Sequence, residues 1–235
     1  MSYNGAAAVN VPIAPDKAAV RVSGFYSQDG GYIDNLALGQ EDVNSSDIYG
    51  GRADLLLMPI DGLSIRVAGF FQNISRDGMG VADFTYAGSP IDGSLEQRRL
   101  VAEPFEQRFR SISGTVSYEM DWATLTSISS YQTAETEIMF DLSPLWVPIA
   151  AGLGRTYSAM GYFNAIDMKR FVQEMRLASG GAQRLEWLIG GFYSDESSPF
   201  VQGFIPFDLG GRPVPNDLFS PSGRCGARSP RAAGW

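Results

Sequence analysis

Apolar and polar side chains alternate with a period of two along most of the chain. In 17–27, Ala18, Val20, Val22, Gly24 and Tyr26 share one face, and Lys17, Arg21, Ser23 and Ser27 share the other, with Phe25 as the exception. In 48–58, Tyr49, Ala53, Leu55 and Leu57 oppose Arg52 and Asp54. In 63–73, Leu63, Ile65, Val67, Gly69 and Phe71 oppose Ser64, Arg66 and Gln72. Side chains of an extended chain point alternately to its two sides, so this spacing predicts strands with one apolar and one polar face. The stretches 111–118, 171–178 and 185–193 read the same way, through Ile112, Val116 and Tyr118, through Phe171, Met175 and Leu177, and through Leu185, Trp187, Ile189 and Tyr193. The Thr-, Ser- and Ile-rich stretch 124–133 is strand-like without well-separated faces. Seven strands are expected, five of them clearly alternating.

The connections alternate in length. Short turns are expected at Pro59–Gly62, Glu119–Trp122 and Gly180–Gln183, where Asp-Gly and Gly-Gly tolerate positive φ. Long polar connections lie between them, at 28–46, 75–104 and 134–168. Short turns at one end and long loops at the other characterise outer-membrane barrels, whose short end is periplasmic. The fold expected is all-β, an antiparallel up-and-down transmembrane β-barrel segment of about seven strands forming an open curved sheet. A soluble β-sandwich also alternates, but its turns usually recur every 8–12 residues or so. The chain divides into an irregular lead-in, 1–14, the barrel portion, 15–200, and an irregular tail, 201–235. From Leu218 onward the alternation stops, and Arg224, Arg228 and Arg231 stand without acidic neighbours. A frameshifted or truncated reading frame and an ordinary disordered terminus both fit that change.

Composition narrows the function. The net charge of −8 argues against nucleic acid, which needs clustered Lys and Arg. The chain has no histidine and a single cysteine, Cys225, which removes the common general base and the Ser-His and Cys-His nucleophile pairs. An enzyme is not expected, and neither is a cofactor. The apolar runs at 55–60 and 145–153 are too short for a transmembrane helix, which needs about 20 residues. Membrane residence therefore requires a barrel.

Four phrases resemble the barrel of TonB-dependent receptors. They are Asp29-Gly30-Gly31-Tyr32-Ile33-Asp34-Asn35 followed by Asp42-Val43-Asn44 and then Gly50-Gly51-Arg52, then Trp122 to Tyr131, Phe171 to Ser179, and Leu185 to Tyr193. Together they cover about 15–200, in the expected order. The resemblance implies a 22-stranded barrel closed by an N-terminal plug, a ligand such as an iron chelate bound at the extracellular face, and an energy-coupling TonB protein acting through the plug. Its setting would be the bacterial outer membrane and its lipid. No plug, coupling box or signal peptide is recognised before the first strand, so a part of such a receptor is expected, not competent for import alone. A soluble all-β carbohydrate-binding module is the alternative.

Candidate residues follow from the faces. Arg52, Asp54, Arg66, Glu174 and Arg176 occupy polar faces and are expected to line the lumen. Ligand contacts are expected from the long connections, which carry Phe84, Tyr86, Phe140, Trp146, Tyr157, Tyr162 and Phe163. Asp29, Asp34, Glu41 and Asp42 could offer oxygen ligands to a cation, but such a cluster is more often simply a solvated loop, and no metal site is expected.

Overall fold

The computed structural model describes residues 1–92, 95–180 and 185–215. In chain order the elements are β1 (Tyr3–Ala14), β2 (Ala18–Asp29), β3 (Asp34–Asn35), β4 (Ser46–Leu57), β5 (Leu63–Arg76), β6 (Glu96–Gln97), β7 (Phe105–Glu119), β8 (Ala123–Asp141), α1 (Ser143–Gly152), β9 (Ala159–Ser179), β10 (Leu188–Ser197) and β11 (Phe200–Phe207). The long strands form one open antiparallel sheet in the order β1-β2-β4-β5-β7-β8-β9-β10, with β11 also paired to β9. β3 and β6 make a separate two-stranded parallel pair. Among the described residues no helix is long and apolar enough to cross a membrane.

Two expectations about extent are corrected. Residues 3–14 are not an irregular lead-in but a strand, turned into β2 through Asp16 at φ 57°. The stretch assigned to the tail begins inside β11, and β10 and β11 are one ribbon. Ser197 pairs with Lys169 and Phe200 with Ile166, which leaves the register unbroken across Ser198 and Pro199. The Asp167 amide bonds the Pro199 carbonyl at 3.0 Å, but Pro199 has no N–H to return the bond, so the ladder is interrupted there. The sheet thus has nine strands where about seven were expected, or eight with β10 and β11 counted as the one ribbon they form. The connection expected over 134–168 is about half strand, because β8 runs to Asp141 and β9 starts at Ala159, with α1 between them. Of the turn expected at Gly180–Gln183, only Gly180 is described, and residues 218–235 lie outside the described part.

The registers sort every side chain onto one of two faces. Val9, Val22, Ala53, Gly69, Ile112, Tyr131 and Phe171 form one continuous cross-strand row. The next row toward the short turns holds Val11, Val20, Leu55, Val67, Gly114, Ser129, Gln173 and Tyr193. Toward the long connections the same face becomes charged, through Asp47, Glu106, Arg108, Glu135, Glu137 and Asp167. Polar side chains inside the apolar band satisfy one another. Ser129 Oγ donates to Gln173 Oε1 at 2.5 Å, and Gln173 Nε2 donates to Ser127 Oγ at 3.0 Å.

Nothing in the described chain covers this apolar face. Val22, Ile112 and Ile189 are 51%, 57% and 68% exposed. The buried hydrophobic residues are Ile33, Val101, Ala123, Ala150, Ala159 and Met160. Except for Ala123, they lie at the long-connection end of the sheet, where the loops and α1 pack together, and not along its middle. An apolar side chain removed from water gains about 1.5–3 kcal/mol, so a dozen half-exposed ones forgo on the order of 10–20 kcal/mol. That is comparable with the whole net stability of a domain, about 5–15 kcal/mol.

Candidate functional site

Arg52, Asp54, Arg66, Glu174 and Arg176 all fall on the second face, opposite the apolar band. Asp54 lies in the row of Asn10, Arg21, Ala68, Ser113 and Ser130. Arg66 and Glu174 share another row, through Thr115 and Ile128. Within that face they form two groups rather than one. Asp54 sits between two arginines. Its Oδ2 accepts from Arg52 Nε at 2.7 Å, and its Oδ1 accepts from Arg66 at 2.6 and 2.9 Å. The carboxylate is nearly buried by the guanidinium groups, which stay half exposed. Three strands beyond β5, Glu174 and Arg176 pair with each other, two positions apart on the same side of β9. No nucleophile with an adjacent base arises here. The arrangement offers fixed charges and donors to a polar partner or to water.

At the long-connection end a second cluster forms, of which sequence pattern shows only the aromatic part. Asp141 closes β8 and ties three segments together. Its Oδ2 accepts from the Leu100 amide at 2.6 Å, its Oδ1 accepts from the Ser143 amide at 2.8 Å, and its own amide donates to Glu103 Oε1 at 2.8 Å. The first turn of α1 is held by this contact, with Pro144 at its start where no N–H is needed. Ser143 Oγ then accepts from the Met160 amide at 2.9 Å, which sets the start of β9. Burial pushes the Glu103 carboxyl above its ordinary range, against the pull of the Asp141 amide and of Arg99, whose Nε lies 3.5 Å from Oε2. Arg99 also pairs with Asp83 at 2.9 Å, so the connection 77–104 is braced internally.

The same connection is joined to 30–45. Asn35 is buried, its Nδ2 donating to the Arg99 carbonyl at 3.0 Å and its Oδ1 accepting from the Arg99 amide at 3.2 Å. Asn44 Oδ1 accepts from the Tyr32 and Ile33 amides, each at 2.8 Å. Of the acidic residues of 28–46, Asp34 and Asp42 take part in this scaffold. Asp34 Oδ1 accepts from the Asp42 amide at 3.0 Å, and among the described residues no cluster of three or more acidic or other metal-binding side chains could hold a metal.

Of the aromatic residues carried by the long connections, Phe140, Tyr162 and Trp146 converge. Phe140 and Tyr162 have ring centroids 6.3 Å apart. Phe204 joins them, 5.3 Å from Tyr162 and 5.2 Å edge-on from Trp146. Phe204 was hidden from sequence reasoning because β11 is short and follows Pro199. Its place two residues beyond Gln202 and four beyond Phe200, on one face of an extended segment, is the signal that could have found it. Phe140, Tyr162 and Phe204 lie on the same face as Asp54, since Phe140 pairs with Tyr162 and Tyr162 with Phe204. Phe163, one residue on, points to the opposite face. Phe84 and Tyr86 are exposed, at 49% and 110%.

No family profile and no curated protein matches the chain. Among solved structures, the ferric yersiniabactin uptake receptor FyuA from Yersinia pestis is similar, with a TM-score of 0.69 at 17% identity. The similarity covers 90% of this chain and 31% of that receptor, so this chain spans about a third of its length. At that identity the likeness speaks for the fold: the sheet described here has the architecture of a segment of β-barrel wall.

Proposed function

We propose that this chain is part of the barrel of an outer-membrane receptor of the TonB-dependent kind, which imports a scarce small molecule such as a ferric chelate. The observation that carries this reading is the graded face, apolar and uncovered over the middle of the strands and charged beyond it toward the long connections. A bilayer is the environment that suits such a face, and the mutual bonding of Ser127, Ser129 and Gln173 is what hydrocarbon demands of polar groups. A soluble carbohydrate-binding module would need a second layer over the apolar band.

In this reading the other face lines the lumen. Arg52, Asp54, Arg66, Glu174 and Arg176 then present charge to a plug domain or to channel water, and through that plug a TonB protein would act. The long connections face outward. Phe140, Trp146, Tyr162 and Phe204 form an aromatic wall at the outer mouth, suited to stacking on a chelate with aromatic rings. Fractionation tests the membrane assignment. The chain is expected in the outer membrane and resistant to alkaline carbonate, and a monomer fully soluble without detergent would defeat the assignment. Titration of tryptophan fluorescence with ferric catecholates tests the ligand class, with quenching expected and lost in Trp146→Ala.

A further inference from the structure

The registers place three cations on the graded face, Arg108, Arg110 and Lys169. Arg108 lies 3.4 Å from Glu106 and 3.9 Å from Glu135, and Lys169 lies 3.6 Å from Asp167. Arg110 has no carboxylate partner among the described residues. It is nevertheless held in place. One terminal nitrogen donates to the Gln72 and Phe109 carbonyls at 3.0 and 2.7 Å, and the other donates to Asn73 Oδ1 at 2.7 Å. Its guanidinium carbon stands 5.5 Å from the centroid of the Phe71 ring. A guanidinium has five N–H donors, so some remain for an anion.

Arg110 stands at the upper edge of an apolar depression of about 510 Å³ on the same face. Its floor is made by Gly51 and Gly69, and Phe71, Ile112 and Tyr131 border it. The depression is a trough open along the face, not an enclosed cavity. A Cβ placed on Gly69 would meet nothing within 4 Å, so the space is not required by packing. A trough with an uncompensated cation at its polar end matches an amphiphile whose head is anionic.

We propose that this depression seats one acyl chain of a phosphorylated, multiply acylated glycolipid of the lipid A type, with a phosphate held by Arg110. The proposal rests on the membrane reading above, which places the long-connection end in the outer leaflet, where such glycolipids are found. Gly69 keeps the trough open, Gly51 makes room for the Phe71 ring that lies over it, and Phe71 stands beside the guanidinium.

The test starts with outer membranes from cells expressing the chain, washed with alkaline carbonate. The protein is then extracted in mild detergent and its retained lipid identified by mass spectrometry. Co-purified lipid A is expected for the unaltered chain. Arg110→Gln and Gly69→Leu, which fills the trough, should each lower it about tenfold. Gly191→Leu lies on the same face away from Arg110, and its Cβ also meets nothing within 4 Å, so it should leave retention unchanged. Equal retention in all four proteins overturns the proposal, as does equal retention of phosphatidylglycerol or occupation of the face by a second copy of the chain. Loss of the protein in the carbonate wash removes the membrane reading and the proposal with it. Retention of the protein without selective lipid removes the proposal alone.

Discussion

Single carboxylates decide how the two ends of this sheet hold together. Asp54 serves two arginines at once, so Asp54→Ala leaves Arg52 and Arg66 facing each other with no counter-charge. Both arginines are half exposed, which screens the cost to about 1–3 kcal/mol. The check is the midpoint of urea unfolding in detergent micelles, which should fall, while an unchanged midpoint would deny the cluster a structural part. Glu103 behaves differently. Its folded pKa is raised by burial, so the folded state holds a proton that the unfolded chain releases. The resulting stability is complete below the unfolded value of about 4.3 and is lost as pH rises through the higher folded value. Proteolysis of 77–104 should therefore accelerate across that window, and Glu103→Gln should flatten the profile because an amide oxygen still accepts from Asp141. A profile unchanged by the substitution would remove Glu103 from the mechanism. The Glu103 contact was not legible in the sequence, because Glu103 and Asp141 are 38 residues apart and meet only through folding.

Turns and strands carry the next level. Gly62 closes the β4–β5 turn at φ +76°, and a Cβ there would come 2.7 Å from the Glu119 carbonyl oxygen of the neighbouring turn. Gly62→Ala should thus cost about 1–3 kcal/mol, seen as a lower temperature at which the heat-modified band appears on gels, with no shift overturning the assignment. This turn was legible, as Asp-Gly between two alternating runs. The middle strands were legible too, since their two faces meet different surroundings. β1 was not, because Ala6, Ala7 and Ala8 place the same small residue on both faces and leave only Val9, Asn10 and Val11 to alternate. The outer parts of β8 and β9 were missed for a related reason. There Glu135, Glu137, Asp167 and Lys169 occupy the face that is apolar lower down, so the period of two persists while the contrast that reveals it is gone. The five polar-face residues could be named from alternation, but their division into two groups required the registers.

At the scale of the whole molecule, β1 pairs only with β2, and β10 and β11 pair only with β9 among the described strands. Both margins of the sheet therefore present unpaired backbone, the feature that drives strand addition and aggregation. Between those margins the change from apolar to charged residues follows a course of its own. It lies between Tyr26 and Gln28 on β2, Tyr49 and Asp47 on β4, and Phe71 and Asn73 on β5. Farther on it lies between Ile112 and Arg110 on β7, Tyr131 and Thr133 on β8, Phe171 and Lys169 on β9, and Tyr193 and Asp195 on β10. Followed through the pairing, it stays level across some strand pairs and moves two residues across others, on average about one residue per strand, or about 3.3 Å lengthwise for every 4.8 Å across. If that line is the surface of a bilayer, the strands lean about 35° from its normal, within the range of about 35–45° known for transmembrane barrels. Polarised infrared spectra of oriented membranes measure that lean directly, and strands standing upright would separate the graded face from the bilayer plane. The alternation that first marked the strands thus also carries, in the drift of its polar limit, the stagger with which a closed wall would wind.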